Sequence, residues 1–287
     1  MPKNDKEALA LLDPAEYGNA HELFADLATD HLFAAAVLNH DLAGRVYVDD
    51  AKRPQSGFMS TKELQFLAGN PDNTAFNAGL KQVWQETIFM GHAPGATLEA
   101  IDLVFAGDSW QHQLKALFGD WRWPPIPNHA RHYCLTGAGL EWQTLVPEGY
   151  VVQQLDPLLL ARQPDSQIPF IQTAANFTAD MFGFCVLRHG QIVCACATDV
   201  ISGPACEIGI ETDPAHYRRG LATVTAAATV EYALAKGFQQ IWRICGNENL
   251  GSIGTAEKVG FTKRFESKGY FFILDEAEHK RQVNNGT

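Results

Sequence analysis

Thr212-Asp213-Pro214-Ala215-His216-Tyr217-Arg218-Arg219-Gly220-Leu221-Ala222-Thr223 is a basic turn set between two segments of different periodicity. Before it runs a strand-like segment, Cys206 to Thr212; after it, apolar residues recur at helical spacing from Gly220 to Lys236, with Gly237 as the stop. Strand, basic turn and helix therefore follow one another directly. Backbone N–H groups at a helix start face outward, the helix dipole favours negative charge there, and two guanidinium groups stand beside them. Together they make a cradle for phosphate. Gly220 and Ala222 let a pyrophosphate approach the backbone closely. A solvated Arg-Arg turn before an ordinary helix fits the same residues, so the loop alone leaves both readings open.

Working outward, Phe182 to Leu187 and Ile192 to Ala197 are apolar runs joined by Arg188-His189-Gly190-Gln191, a β-hairpin signature. On the helix, Leu221, Val224, Ala228, Tyr232 and Ala235 share one face, which points to packing on a sheet. Another strand is expected at Gln240 to Ile244, a short helix at Ser252 to Val259 ended by Gly260, and two closing strands at Lys263 to Glu266 and Tyr270 to Leu274.

With this order in place, the loop resembles the Q/R-x-x-G-x-G/A cofactor motif of the GNAT (general-control-related N-acetyltransferase) superfamily. Asn249-Leu250-Gly251-Ser252 with Ala256-Glu257-Lys258-Val259-Gly260-Phe261 is similar to its N-x-x-S…E-K-x-G-F element. The resemblance covers roughly the last hundred residues. It implies an α/β (α+β) fold, a central mixed twisted sheet flanked by helices, and an acetyltransferase that moves an acetyl group from acetyl-CoA to an amine in a ternary complex. By the same resemblance, the backbone of Ile210, Glu211 and Thr212 pairs with the pantetheine arm. The N–H groups of Arg218, Arg219, Gly220, Leu221, Ala222 and Thr223 hold the pyrophosphate, and Asn249 and Ser252 approach the thioester end. Asn249 also suits a helix cap. Two positions depart from the pattern: Tyr217 stands where the motif has Gln or Arg, and Ala256 where many members carry the Tyr that protonates the departing thiolate.

Amine acetylation needs a group to take a proton and a means of accommodating the leaving sulfur. Glu207, on the strand before the loop, is the candidate base; a solvent-facing strand carboxylate is the alternative. Tyr270, His216 and Tyr217 are candidate acids, and a water-mediated route is equally compatible. A module that binds acetyl-CoA without turnover is the rival function, favoured by Ala256 and Tyr217.

At 287 residues the chain has material for two domains, and the Pro- and Gly-bearing stretch Val146 to Tyr150 reads as their boundary. The expected division is 1–146, an α/β domain; 147–276, the GNAT domain; and 277–287, a polar tail. In the first part, helix is expected through residues 1–40 and near 73–89, a hairpin at Arg45 to Asp49 and Gly57 to Met59, a strand at Leu98 to Phe105, a short helix at Trp110 to Phe118 and a strand at His132 to Leu135. This two-part layout resembles the GNAT subgroup of the zwittermicin A resistance protein, which implies a degenerate GNAT-like first domain.

A net charge of -11 speaks against a nucleic-acid surface. Neither a secretory leader nor an apolar run of about 18 residues stands out, so a cytoplasmic protein with no membrane partner is expected. A small-molecule amine is the expected partner, and a homodimer stays open. The six cysteines lie apart, mostly within apolar runs, and read as buried free thiols; Cys194 and Cys196 lack further ligands at metal spacing, so no metal is expected. Asn176-Phe177-Thr178 reads as a chance sequon, and Trp110, Trp121 and Trp123 as packing residues.

Overall fold

Composition places a boundary at 146–147, but strand pairing divides the chain elsewhere. The computed structural model describes residues 9–61, 63–84, 100–119, 125–161, 180–273 and 280. One unit takes Met1–His129 with Ser267–Thr287, the other Ala130–Glu266. Residues 85–89, Leu98, Trp121, Trp123, the 176–178 sequon, Leu274 and the tail apart from Lys280 lie outside the described residues.

The first unit contains β1 (Ala10–Leu11), α1 (Ala25–Asp30), α2 (Leu32–Leu38), β2 (Arg45–Val48), β3 (Ser56–Ser60), β4 (Leu64–Gly69), α3 (Thr74–Val83), β5 (Ala100–Phe105) and α4 (Leu114–Phe118). The single helical tract expected before residue 40 is broken at His31. Its extended backbone (φ -127°, ψ 114°) separates α1 from α2, and its buried ring meets Phe66 edge-on at 5.5 Å. β2 and β3 form the expected hairpin, and β4, an unanticipated strand, extends it antiparallel. α3 then crosses to β5, which lies parallel to β4. The core is aromatic: Trp84 packs on Phe58 (5.3 Å between centroids), Phe118 (4.4 Å) and Phe272 (5.5 Å), and Trp110 meets Phe76 at 6.3 Å.

The second unit contains most of β6 (Ile126–Leu135), then β7 (Val151–Gln154), α5 (Pro157–Ala161), β8 (Gly183–Arg188), β9 (Gln191–Ser202), β10 (Ala205–Thr212), α6 (Leu221–Ala235), β11 (Gln240–Gly246), α7 (Leu250–Val259) and the start of β12 (Thr262–Ile273). β8 and β9 are the expected hairpin. Their turn is built on His189 (φ 51°) and Gly190 (φ 80°), the paired left-handed residues that a tight hairpin requires. β7, β8, β9 and β10 are antiparallel in turn, α6 crosses over to β11 parallel to β10, and β11 pairs antiparallel with β6 from Ala130 to Leu135. That last pairing draws the division of the chain back to residue 130.

Both units therefore repeat one succession: an antiparallel meander, a helical crossover into a parallel strand, then an antiparallel neighbour. This is the mixed-sheet GNAT fold with helices against it. The two closing strands expected near the end are one strand, β12. Gly269 lies within it because Leu103's carbonyl leaves no room for a Cβ, so the glycine marks a close approach instead of a turn. α6 is buried over more than the one expected face: Leu221, every residue from Val224 to Val230, and Ala233 are buried, whereas Ala235 is exposed. It packs against β8, β9, β10 and α7, and its Ala, Thr and Val side chains let those neighbours come close. No helix among the described residues is long and apolar enough to cross a membrane.

The Ser267–Ile273 part of β12 supplies Phe272, fully buried against Trp84 and Phe118, to the first unit. Phe272→Ala is expected to destabilise that unit by about 3–5 kcal/mol, the usual cost of deleting a core aromatic ring. A lowered urea midpoint, followed by tryptophan fluorescence, checks this.

Candidate active site

The site begins where two parallel strands separate. β10 pairs with β11 only over Ala205–Gln240, Cys206–Ile241 and Glu207–Trp242. Beyond that point β10 keeps its ladder with β9 as far as Thr212, and β11 keeps its ladder with β6 as far as Gly246. An opening is left between them, lined on one side by the backbone of Ile208 to Thr212.

The cause lies on the far side of β10. Its register with β9 slips between Glu207 and Ile208, which face Val200 and Thr198, leaving Asp199 as an extra residue in β9. Such a bulge bends the strand and adds local twist. The carboxylate of Asp199 sits where a Cβ on Gly209 would be, so a larger residue there would have to push that side chain aside. Glu207, at the bulge, is buried, which removes the solvent-facing alternative. Burial, with the Asp199 charge nearby, raises its carboxyl to about pH 8.

From Thr212 the chain is tied down before it reaches α6. Asp213 N–H donates to the Val193 carbonyl (2.9 Å), and the Asp213 side chain accepts from Ala215 N–H (2.8 Å), capping the short 3₁₀ turn Pro214–His216. His216 Nδ1 lies 3.0 Å from the Tyr150 hydroxyl, and the Arg188 guanidinium sits 4.6 Å from the Tyr150 ring centroid. Tyr217 is 59% exposed and is free to meet a ligand from solvent. Arg218 (φ 60°) and Gly220 (φ 78°) then take left-handed conformations on either side of Arg219. Such alternation curls successive N–H groups into a concave nest, and α6 begins at Leu221 with no side-chain cap on its free donors.

Across the opening, Asn249 caps α7 by accepting from Ser252 N–H (2.9 Å), so its capping role is real. Ser252 Oγ accepts from Arg243 Nη2 (2.8 Å) and donates to Cys245 Sγ (3.2 Å). Arg243, which the sequence reading passed over, is 3% exposed. Its signal was present: in Ile241-Trp242-Arg243-Ile244-Cys245, alternation puts the charge on the same face as two core residues. Ala256, fully buried on α7, carries no proton to give.

Ile210, Glu211, Thr212, Arg218 to Thr223, Asn249, Ser252 and Glu207 all lie in the second unit, on the elements around this opening. Tyr270 belongs to the first unit, where its ring stacks on Phe105 at 6.1 Å and its hydroxyl accepts from Gln111 at 3.3 Å. All six cysteines are buried free thiols, and burial pushes Cys185, Cys196 and Cys206 up to about 12.

Comparison with known proteins agrees with the topology. The chain is 23% identical over 246 residues to the uncharacterised N-acetyltransferase YdfB of Bacillus subtilis, covering 83% of this chain and 89% of that one. A GCN5-related N-acetyltransferase-like protein from Streptococcus suis superposes with a TM-score of 0.64 at 19% identity, over 89% of this chain and 98% of that one. A tandem GNAT protein from the clavulanic acid biosynthesis pathway superposes with a TM-score of 0.57 at 11% identity, over 93% and 98%. It supports two GNAT-like units in one chain. The family model for GNAT acetyltransferases matches residues 21–270. Spanning both units as it does, that match shows that the chain belongs to the GNAT acetyltransferase family.

Proposed function

We propose that the second unit transfers an acetyl group from acetyl-CoA to the amine of a small molecule by direct attack in a ternary complex, in the cytoplasm. The observation that carries this reading is the parting of β10 from β11 beside the uncapped, nest-shaped start of α6. An extended ligand with a phosphate at one end fits such a pair of features. Its amide groups would pair with the backbone of Ile210, Glu211 and Thr212 on the edge of β10 that faces the opening, while its pyrophosphate would meet the N–H groups of Arg218 to Thr223. Asn249 and Ser252 border the thioester end. Kinship with the zwittermicin A resistance protein belongs to the same proposal, supported by the two-part layout.

Glu207 is assigned as the base. It lies at the closed end of the opening, and its raised carboxyl suits removal of a proton from an alkylammonium or from the attacking amine. His216 and Tyr217 remain candidate acids, whereas Tyr270 is a residue of the first unit. Buried Ala256 favours a second reading, an acetyl-CoA-binding module without turnover. Release of coenzyme A thiol across a panel of amines separates the two: turnover with any amine supports the enzyme, and binding without turnover supports the module. Absence of acetyl-CoA binding in calorimetry would defeat both.

Replacing Arg218 and Arg219 together by Ala should weaken acetyl-CoA binding by roughly 10- to 150-fold, as one or two charge-assisted hydrogen bonds of about 1.5 kcal/mol each are lost. Calorimetry at fixed salt reads this directly. Because Glu207 acts as a base only when ionised, kcat/KM should rise with pH and level off above about 8. Glu207→Gln should lower turnover by roughly 10²- to 10⁴-fold and abolish that inflection, with acetyl-CoA affinity retained.

A further inference from the structure

Arg243 follows immediately after Trp242, the last residue of β11 that pairs with β10, and so stands at the apex of the opening. Its side chain is 3% exposed. Nη2 is held by Ser252 Oγ at 2.8 Å, whereas Nε and Nη1 are buried with no hydrogen-bond partner among the described residues. A guanidinium does not lose its proton inside a protein, so this is a permanent buried charge with two idle donors, a costly arrangement unless something completes it.

The neighbouring side chains do not complete it. Cys194 and Cys196 share its face of the sheet, and its charge opposes the rise of both thiols, but burial outweighs it and keeps them neutral. Cys245 Sγ already takes the Ser252 hydroxyl. No carboxylate forms an ion pair with Arg243 among the described residues. An acceptor that enters through the opening would complete it. Nε and Nη1 diverge across the guanidinium plane and do not form the two-pronged fork that a carboxylate matches. They suit acceptors of one atom each.

Glu207 and Trp242 are register partners and share one face at the apex; Arg243, the next residue, faces the other. Base and cation thus approach the opening from opposite faces of the sheet. Resting on the acetyl-CoA reading above, we propose that Arg243 is a catalytic residue that binds the departing sulfur of coenzyme A and stabilises it as a thiolate. The amine nitrogen attacks the thioester carbon from the Glu207 side and forms the C–N bond. Its proton passes to the Glu207 carboxylate. The C–S bond breaks with its electron pair on sulfur, which leaves facing Arg243. Arg243 donates hydrogen bonds and keeps its proton; the thiolate is protonated from solvent after release. Ser252 holds the guanidinium in place, and no acid is needed at Ala256.

The test needs no acceptor. Full-length protein is titrated with coenzyme A and with desulfo-coenzyme A from pH 6 to pH 10. Affinity is followed by calorimetry, and the bound thiolate by its ultraviolet absorbance against the desulfo complex. The expected result is a bound thiol that ionises at least one pH unit below the free one, so that coenzyme A binding tightens roughly tenfold relative to the desulfo compound as pH rises. Arg243→Gln should remove the shift with desulfo-coenzyme A affinity intact, and Arg243→Lys, which keeps the charge, should restore part of it. A bound thiol in the unaltered protein that ionises no lower than free coenzyme A overturns the proposal whatever the variants do, as does a shift that persists in Arg243→Gln. Failure of both ligands to bind would instead defeat the acetyl-CoA reading on which it rests.

Discussion

The second unit is organised by a single mismatch of register. One extra residue, Asp199, lies in β9 opposite the junction of Glu207 and Ile208, and from that junction β10 follows β9 while β11 follows β6. A parallel pair that stayed in register would satisfy its own backbone groups and have nothing to offer a ligand. By parting after three residue pairs, β10 and β11 keep their outer ladders intact and free their inner edges. The same slip buries Glu207, brings the Asp199 carboxylate over Gly209, and leaves Arg243 as the first side chain past the point of separation.

The first unit has the same succession of strands and shows what the opening depends on. There β4 and β5 pair from Leu64–Asp102 to Leu67–Phe105, and Ala106 N–H adds one further bond to Leu67, so no comparable gap forms among the described residues. The crossover helix α3 starts from Asn73, whose side chain accepts from Phe76 N–H, with Asp72 beside it. A capped helix start with an adjacent carboxylate repels phosphate where the uncapped start of α6, with Arg218 and Arg219, attracts it. Identical topology thus gives an uncapped, basic helix start in one unit and a capped, acidic one in the other.

Much of this was legible from the chain alone. The hairpin around His189-Gly190, the strand–loop–helix at 206–235 and the cap at Asn249 follow from local chemistry, and local chemistry is what a sequence displays. The repeat in the first unit was less visible because Thr61 to Glu63, which joins β3 to β4, contains no Gly, Pro, Asn or Asp to mark a turn. The end of the chain misled because a glycine inside a strand looks like a glycine in a turn until the opposing carbonyl of Leu103 is seen. The burial of Glu207 depends on a bulge in another strand, and the idle nitrogens of Arg243 on a serine nine residues away in α7; both are non-local. Arg243 was nonetheless marked by a charge on the apolar side of an alternating strand, a pattern that merits as much notice as a motif.

The return of Ser267–Ile273 to the first unit has a consequence for biosynthesis. A ribosome delivers residues 1–129 before the second unit, but those residues lack β12 and Phe272 until the second unit has emerged. The second unit, contiguous from Ala130 to Glu266, has all its strands earlier. Vectorial synthesis therefore runs opposite to completion: of the two units, the one begun first closes second, and its aromatic core waits for β12.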